Sequence, residues 1–195
     1  MSPGMPSNGR MVVGLGNPGP EYDGTRHNVG FDVIDRLASK TSIPVELFGS
    51  NALSGMGSYR GRKVLLAKPT TYVNRSGAAV RALLSKHGLT PDQLLVVVDD
   101  INLPVGRVRL RPGGGAGGHN GLEDLIDSLQ SSDFARLRIG VGNNFSRGRQ
   151  ADYVLSRFES DEEPIMEEAF EKSVDAVLMF VREGIDRAMN EANRG

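Results

Sequence analysis

The chain has 195 residues, a formal net charge of -1 and no cysteine. Its length suits about one domain with its own core, its balanced charge gives no global attraction to nucleic acid, and the missing cysteines exclude disulfides, thiolate nucleophiles and cysteine-bound zinc. No run of about 18 apolar residues is present to span a membrane, and residues 1–10 lack the apolar core of a signal peptide. The sequence therefore predicts a soluble, cytoplasmic protein.

Apolar runs alternate with amphipathic segments after a polar leader, residues 1–10, which we set apart as flexible. Short apolar runs predict strands at 11–15, 64–67, 94–98 and 137–141, of which 94–98 is nearly continuous and β-branched and 137–141 is interrupted only by Arg138 and Gly140. Apolar residues three or four positions apart predict helices at 31–38, 78–86, 122–129 and, as a long amphipathic C-terminal helix with Gly184 as a break near its end, 166–189. This alternation predicts an α/β fold: a single domain over residues 11–195, with a twisted, mostly parallel mixed sheet flanked by helices.

The first predicted strand leads into a match to the Gly-x-Gly-x-x-Gly fingerprint of dinucleotide-binding proteins, at residues 14–19. In that fingerprint a helix begins inside the turn, so that its free amides meet a pyrophosphate, whereas Pro18 and Pro20 oppose a helix here. The acid that should end the second strand is also missing, because Asp32 and Asp35 lie within a predicted helix. Nicotinamide binding is therefore not favoured.

A second glycine-rich stretch, residues 113–118, follows a segment in which arginine alternates with apolar residues. Arg107, Arg109 and Arg111 lie two positions apart, so a strand would place their guanidinium groups on one face. Glycines allow a close backbone approach, and a following helix offers free amides to an anion. The pattern predicts a phosphate-binding face; the alternative is a solvated strand face beside a flexible connection.

Two side chains at predicted strand ends could perform acid–base chemistry. His27 lies between the first strand and the first helix, and Asp99 ends the most strongly apolar strand, at the sheet edge where α/β proteins bind ligands. A carboxylate that accepts a hydrogen bond from the N–H of one imidazole nitrogen leaves the other nitrogen free as a general base toward water. The alternatives are a structural loop histidine, and a strand-end turn or metal site at the aspartate. Because few candidate ligands lie nearby, we expect no metal.

Three asparagines, Asn17, Asn74 and Asn120, each follow a predicted strand or its loop. A carboxamide donates and accepts hydrogen bonds without ionising, which suits holding an ester carbonyl, a developing oxyanion or a peptide backbone. Each alone could equally be a turn or cap residue, and Asn28 or Asn120 could cap a helix. Together they predict one polar binding site.

Five motifs in register resemble those of bacterial-type peptidyl-tRNA hydrolases. They are Gly14-Leu15-Gly16-Asn17-Pro18-Gly19 with Tyr22 and Thr25-Arg26-His27-Asn28; Lys68-Pro69-Thr70-Thr71-Tyr72-Val73-Asn74 with Ser76-Gly77; Asp99-Asp100-Ile101-Asn102-Leu103-Pro104; Gly117-Gly118-His119-Asn120-Gly121; and Arg136-Leu137-Arg138-Ile139-Gly140. Their order and spacing match over residues 11–193, which is more specific than any single motif. The resemblance implies an α/β enzyme that needs no cofactor and cleaves the ester between a peptide and the 3' ribose of tRNA.

The resemblance also implies a role for each matching residue. His27 would activate water, and Asp99 would orient it. The substrate-binding positions would be Asn17, Tyr22, Tyr72, Asn74 and Asn120. The candidates for tRNA contact, near the acceptor stem, would be Arg111, Arg138 and His119. The partner would be peptidyl-tRNA, and we expect the protein to be a monomer.

The same scaffold suits one alternative function, that of a non-catalytic RNA-binding protein, as in plastid splicing factors that resemble this family. Arginine contacts to phosphate fit either function, because they add affinity without base preference. The feature that separates the two is the catalytic set, and the sequence retains His27, Asp99 and the three asparagines. The sequence therefore favours the hydrolase.

Overall fold

The computed structural model describes residues 4–194, which build a seven-stranded sheet. Its strands are β1 (Arg10–Gly14), β2 (Leu47–Gly49), β3 (Ala52–Tyr59), β4 (Arg62–Pro69), β5 (Leu94–Asp100), β6 (Val108–Arg111) and β7 (Ala135–Gly140). Their order across the sheet is β2-β3-β4-β1-β5-β7-β6. The central strands β4, β1, β5 and β7 run parallel, whereas β2 and β3 at one end and β6 at the other pair antiparallel.

The inner strands are apolar because both of their faces are covered. All five residues from Leu94 to Val98 are 0% exposed. Alternate residues of a strand point to opposite faces, so Leu95 and Val97 enter one core while Val96 and Val98 enter the other. Burying each such side chain contributes about 1.5–3 kcal/mol relative to leaving it in water.

The described range contains six α-helices. They are α1 (Val29–Thr41), α2 (Gly77–His87), α3 (Asn120–Leu129), α4 (Gln150–Val154), α5 (Glu163–Glu183) and α6 (Ile185–Ala192). Helices α1, α5 and α6 pack on one face, and α2 and α3 on the other. Helix α4 stands at the rim and buries none of its residues. No helix between residues 4 and 194 has the length and apolar character needed to cross a membrane.

The glycines around the end of β1 let helix α1 pack closely on the sheet. A Cβ on Gly14 would lie 2.1 Å from the carbonyl oxygen of Gly30, and a Cβ on Gly30 would lie 2.5 Å from the amide nitrogen of Leu15. Only glycine permits such an approach. The chain next forms a 3-10 turn at Pro20–Tyr22, so the turn after β1 lacks the helix N-terminus on which a dinucleotide would sit.

The predicted α/β class is confirmed, and each predicted strand and helix is present with its ends shifted by a few residues. The long C-terminal helix is interrupted at Gly184, whose φ of 90° lies outside the helical region, and so forms α5 and α6. The sequence did not predict strands β2 and β3 or helix α4. Strand β6 begins at Val108 and carries Arg109 and Arg111 but not Arg107.

The predicted leader lies partly within the described residues. Strand β1 already begins at Arg10. Before it, the amide of Met5 donates to the carbonyl of His87 at 2.9 Å, and the side-chain amide of Gln93 donates to the carbonyl of Gly9 at 3.0 Å. Residues 1–3 of the leader lie outside the described residues. The division into a flexible leader and a domain from residue 11 therefore stays a prediction.

Candidate active site

A cleft of about 930 Å³ opens beyond the carboxyl ends of the parallel strands, where α/β sheets bind their ligands. The residues of the predicted site that line it are Asn17, Tyr22, His27, Tyr72, Asn74, Asp99, His119, Asn120 and Arg138. Of the predicted positions, only Arg111 is outside this lining. Segments that are far apart in the chain thus converge on one pocket.

The His27 ring is fixed against the carboxylate of Asp99. Its Nδ1 lies 2.9 Å from both carboxylate oxygens. An ionised carboxylate can only accept hydrogen bonds, so Nδ1 carries the proton and Nε2 keeps its lone pair. His27 stands on a 3-10 turn, Arg26–Asn28, between β1 and α1, and Asp99 is 4% exposed near the end of β5. The pair therefore has the arrangement of a general base and its orienting acid.

His119 is a second histidine on the same carboxylate. Its Nδ1 accepts the backbone N–H groups of Gly121 at 3.1 Å and Leu122 at 3.2 Å, which caps the N-terminus of α3. The proton must then be on Nε2, which donates to Asp99 Oδ1 at 2.9 Å. The rings of His119 and His27 lie 5.2 Å apart between centroids. His119 thus aligns Asp99, a function that the sequence did not predict.

The electrostatics of this trio keep Asp99 ionised. Burial alone would raise the pKa of Asp99, but the electrostatic attraction and hydrogen bond of His119, followed by those of His27, outweigh burial and hold the pKa below its usual value. A carboxylate with a lowered pKa stays negative throughout the neutral range. It therefore keeps accepting the hydrogen bond that His27 donates from Nδ1.

The trio also meets the distance requirement for metal ligands, since one ligand atom from each of His27, Asp99 and His119 lies within 4.8 Å of the others. A metal at His119 Nε2 would displace the proton on that nitrogen, because a metal-binding imidazole nitrogen must be unprotonated. Moving the proton to Nδ1 would point it at the N–H groups of Gly121 and Leu122. The tautomer imposed by the helix cap thus favours a hydrogen-bonded trio over a metal site.

Asn17 is locked in place by a neighbour of the candidate base. The carboxamide of Asn28 accepts the N–H of Asn17 at 2.9 Å and donates to the Asn17 carbonyl at 3.0 Å. The Oδ1 of Asn17 accepts the N–H of Val73 at 2.9 Å, which leaves its Nδ2 group for a ligand. Asn28 was expected only as a helix cap, yet it makes no side-chain cap bond to α1. Its position next to His27 was the only sequence signal for this role.

The remaining predicted ligand contacts are open to solvent. Asn74 and Asn120 are exposed on the cleft lining, and α3 is capped by His119 in place of Asn120. The rings of Tyr22 and Tyr72 meet edge to face with centroids 6.4 Å apart. These groups can contact a bound molecule without first breaking internal bonds.

Arg111 on β6, together with Arg136 and Arg138 on β7, forms the basic face. Arg138 lines the cleft, where its Nη2 donates to the Gly115 carbonyl at 3.0 Å. Arg136 is 0% exposed and donates to the same carbonyl at 2.9 Å; burial, followed by the charge of Arg138, lowers its pKa to about 10. Arg111 is exposed and pairs in register with Arg136, away from the cleft end of β7. The glycine-rich loop is therefore fastened by two arginines and is not a loose connection.

Comparisons with known proteins agree with this geometry. The family model described as peptidyl-tRNA hydrolase matches residues 11–195. The chain belongs to the peptidyl-tRNA hydrolase family. A family member from Salinibacter ruber is 51% identical over 183 residues, which cover 94% of this chain and 97% of the relative. A member from Bacillus subtilis is 45% identical, covering 94% and 98%.

Solved structures of the family have the same fold. The crystal structure of peptidyl-tRNA hydrolase from Acinetobacter baumannii superposes with a TM-score of 0.91 at 38% identity, covering 96% of this chain and 95% of that one. The family resemblance predicted from the motifs is thus confirmed.

Proposed function

We infer that the chain hydrolyses the ester bond between the peptide and the tRNA of peptidyl-tRNA. Membership of the family supports this activity. The observation that carries it is the placement of His27, with Asp99 held 2.9 Å from its Nδ1, in the cleft lined by three carboxamides. An ester asks less of a catalyst than an amide, so one base, one positioned water and a few donors suffice.

In the proposed mechanism, Nε2 of His27 takes a proton from a water molecule as its oxygen attacks the ester carbonyl carbon. The resulting tetrahedral oxyanion collapses, the bond to the ribose 3' oxygen breaks, and the proton on His27 passes to that oxygen. The products are a peptide with a free carboxyl group and a tRNA with a free hydroxyl. Asp99 stabilises the imidazolium that forms between the two proton transfers.

The carboxamides supply the neutral part of the site. The free Nδ2 of Asn17 would donate to the peptide backbone, and Asn74 and Asn120 would hold the peptide and the reacting carbonyl, where developing negative charge is stabilised most. Tyr22 and Tyr72 would pack against the substrate beside them. These roles rest on the position of each group on the cleft lining.

The tRNA would lie along the basic face. Arg138 on the cleft lining and the exposed Arg111 would contact phosphates of the acceptor stem, without base preference. His119 was also expected as a tRNA contact, but its bonds to Asp99 and to α3 support a positioning role instead. The chain itself supplies His27, Asp99 and the carboxamides of the lining, and we propose that it acts as a monomer where translation supplies its substrate.

The alternative of a non-catalytic RNA-binding protein is not favoured, because the catalytic set is complete and the relatives are hydrolases. The test is to incubate the purified chain with an N-acetylated aminoacyl-tRNA and with the same tRNA carrying a free amino acid. We expect rapid release of the acetylated amino acid and much slower release of the free one. Binding of both tRNAs without release of either would contradict the proposal and support the alternative.

A further inference from the structure

Arg26, the residue before the candidate base, is buried although it carries a charge. Arg26 is 3% exposed. Its guanidinium group contacts the segment that follows α4, residues 156–162. Nη1 donates to Ser156 Oγ at 2.6 Å and to the Arg157 carbonyl at 2.5 Å. Nη2 donates to a carboxylate oxygen of Glu162 at 2.6 Å. One side chain thus ties the catalytic turn to three successive points of a distant segment.

Two aromatic rings complete the environment of this guanidinium. Its central carbon lies 4.3 Å from the ring centroid of Tyr153 and 5.1 Å from that of Phe158. A planar guanidinium can stack on rings while it donates hydrogen bonds at its edge, which an ammonium cannot do. The Tyr153 hydroxyl donates to the Val141 carbonyl at 2.6 Å. Tyr153, a residue of α4, is therefore fixed by Arg26 on its ring and by the end of the sheet at its hydroxyl.

The backbones of the two segments also meet. Thr25 and Arg157 form an isolated antiparallel bridge, and the N–H of Arg26 donates to the Ser156 carbonyl at 3.0 Å. The turn that bears His27 and the chain after α4 thus behave as one short paired unit. The Arg26 side chain reinforces this contact.

Helix α4 depends on such contacts, because it buries no residue of its own. It has five residues, and a helix this short is unstable on its own in water. Yet Gln150, Ala151 and Val154 line the cleft. This wall of the cleft has a defined position only if residues outside α4 hold the helix in place.

We propose that Arg26 is a positioning residue that fastens α4, as one wall of the substrate cleft, to the turn that carries His27. This proposal rests on the proposed function, because the reaction that it affects is the hydrolysis of peptidyl-tRNA. Contacts made by α4 would serve the bound substrate and its transition state equally, and such binding affects KM more than kcat. His27 keeps its own support from Asp99, so kcat should change less.

The first test compares Arg26→Gln and Arg26→Lys with Arg36→Lys as a matched control. Arg36 also pairs with a glutamate, Glu167, at 2.7 Å and stacks on a ring, Phe170, but it joins α1 to α5 away from the cleft. We expect both Arg26 variants to raise KM for N-acetylated aminoacyl-tRNA by about fivefold or more, with kcat within about twofold. Arg36→Lys should leave both constants unchanged.

Hydrogen exchange measured by mass spectrometry gives a readout that does not depend on turnover. In the Arg26 variants, exchange of backbone amides at 150–156 should quicken by about tenfold or more, while α1 and β5 keep their protection. Arg26→Lys keeps the charge and most of the volume, so it carries the test if Arg26→Gln does not fold.

A disulfide provides the rescue, since the chain has no cysteine to interfere. Residues paired across an antiparallel bridge have Cα atoms about 4.5–5.5 Å apart, within the disulfide range. Thr25→Cys with Arg157→Cys should therefore tether α4 again. The reference is the double-cysteine variant that keeps Arg26. When the cysteine pair is added to Arg26→Gln and oxidised, KM should return toward the value of this reference. Reduction of the disulfide should raise KM again.

Three results would overturn the proposal: an unchanged KM, a loss confined to kcat, or exchange that quickens evenly along the chain. A KM that stays high after oxidation would also count against it. If the unmodified chain cleaves no peptidyl-tRNA, the proposed function fails. The exchange of α4 amides then still decides whether Arg26 fastens this helix.

Discussion

At the scale of single residues, the candidate site depends on side chains that hold other side chains. His119 accepts two backbone N–H groups of α3 and so must present its N–H to Asp99. Asp99 in turn fixes the tautomer of His27. The reactive nitrogen is therefore set by a chain of hydrogen bonds that begins at a helix terminus.

Asn28 provides a test of this dependence. Asn28→Ala removes the two bonds that hold the backbone of Asn17, so the Nδ2 of Asn17 loses its fixed direction. We expect kcat/KM for N-acetylated aminoacyl-tRNA to fall by about 10- to 100-fold, a loss of about 1.4–2.7 kcal/mol in transition-state stabilisation.

The control is a double-mutant cycle with Asn17→Ala. If Asn28 acts through Asn17, adding Asn28→Ala to Asn17→Ala should cost little more, because residues that act as one unit are not additive. Losses that simply add would show that Asn28 acts independently of Asn17.

At the scale of the elements, β6 is an edge strand whose exposed side is covered by the C-terminal segment. The carboxamide of Asn193 accepts the N–H of Leu110 at 2.9 Å and donates to its carbonyl at 3.1 Å. The Asn193 side chain thereby makes the two hydrogen bonds that a neighbouring strand would make to the backbone of Leu110. An uncovered edge is a site for unwanted pairing with other chains.

Asn193→Ala should lower the free energy of unfolding by about 1–3 kcal/mol, because it removes two hydrogen bonds and leaves their backbone partners unpaired. Urea unfolding followed by circular dichroism measures this change. Asn190→Ala is the matched control, since Asn190 is exposed on α6 and should change the free energy by less than about 0.5 kcal/mol. Equal effects of the two variants would remove the role assigned to Asn193.

Helix α1 contains an acid that opposes folding at neutral pH. Burial, followed by the charge of Asp35, raises the pKa of Asp32 from 3.8 to about 6. Between these values the folded chain binds more protons than the unfolded chain, so stability falls as the pH rises from about 4 to about 6 and stays reduced above that. Asp32→Asn should therefore stabilise the protein at pH 7.5 by about 1–3 kcal/mol.

The gain from Asp32→Asn should be small near pH 4, where the aspartate is neutral in the folded chain and about half protonated in the unfolded chain. Thermal unfolding at pH 4 and pH 7.5 tests this difference. Asp186→Asn changes an exposed acid in the first turn of α6 and should shift Tm little at either pH. If Asp32→Asn stabilised the protein equally at both pH values, the ionised Asp32 carboxylate would not be the cause of the lost stability.

At the scale of the whole molecule, the topology of the sheet assembles the cleft. Asn17 follows β1, Asn74 follows β4, and Asp99 stands near the end of β5. Because these three strands are parallel neighbours, their carboxyl ends meet at one edge. The site therefore follows from the parallel arrangement, which the alternation of strands and helices predicted, and from the strand order, which it did not predict.

The sequence could not predict features set by contacts between distant segments. Strand β3 contains glycine and serine in place of an apolar run; a Cβ on Gly55 would lie 1.8 Å from the Pro44 carbonyl, so glycine is required there by tertiary contact. Helix α4 has no buried residue and so shows no periodic signal. The roles of Asn28 and His119 depend on tautomer and hydrogen-bond direction, which composition and spacing do not record.

In the proposed mechanism His27 acts as the base and has no other essential role. Single-turnover cleavage of N-acetylated aminoacyl-tRNA by His27→Ala, with binding of the same tRNA measured in parallel, tests it most directly. We predict that cleavage slows by about 10²- to 10⁴-fold, while the dissociation constant for tRNA changes by less than about threefold. An unchanged cleavage rate, or a loss of cleavage explained by lost binding, would contradict the account.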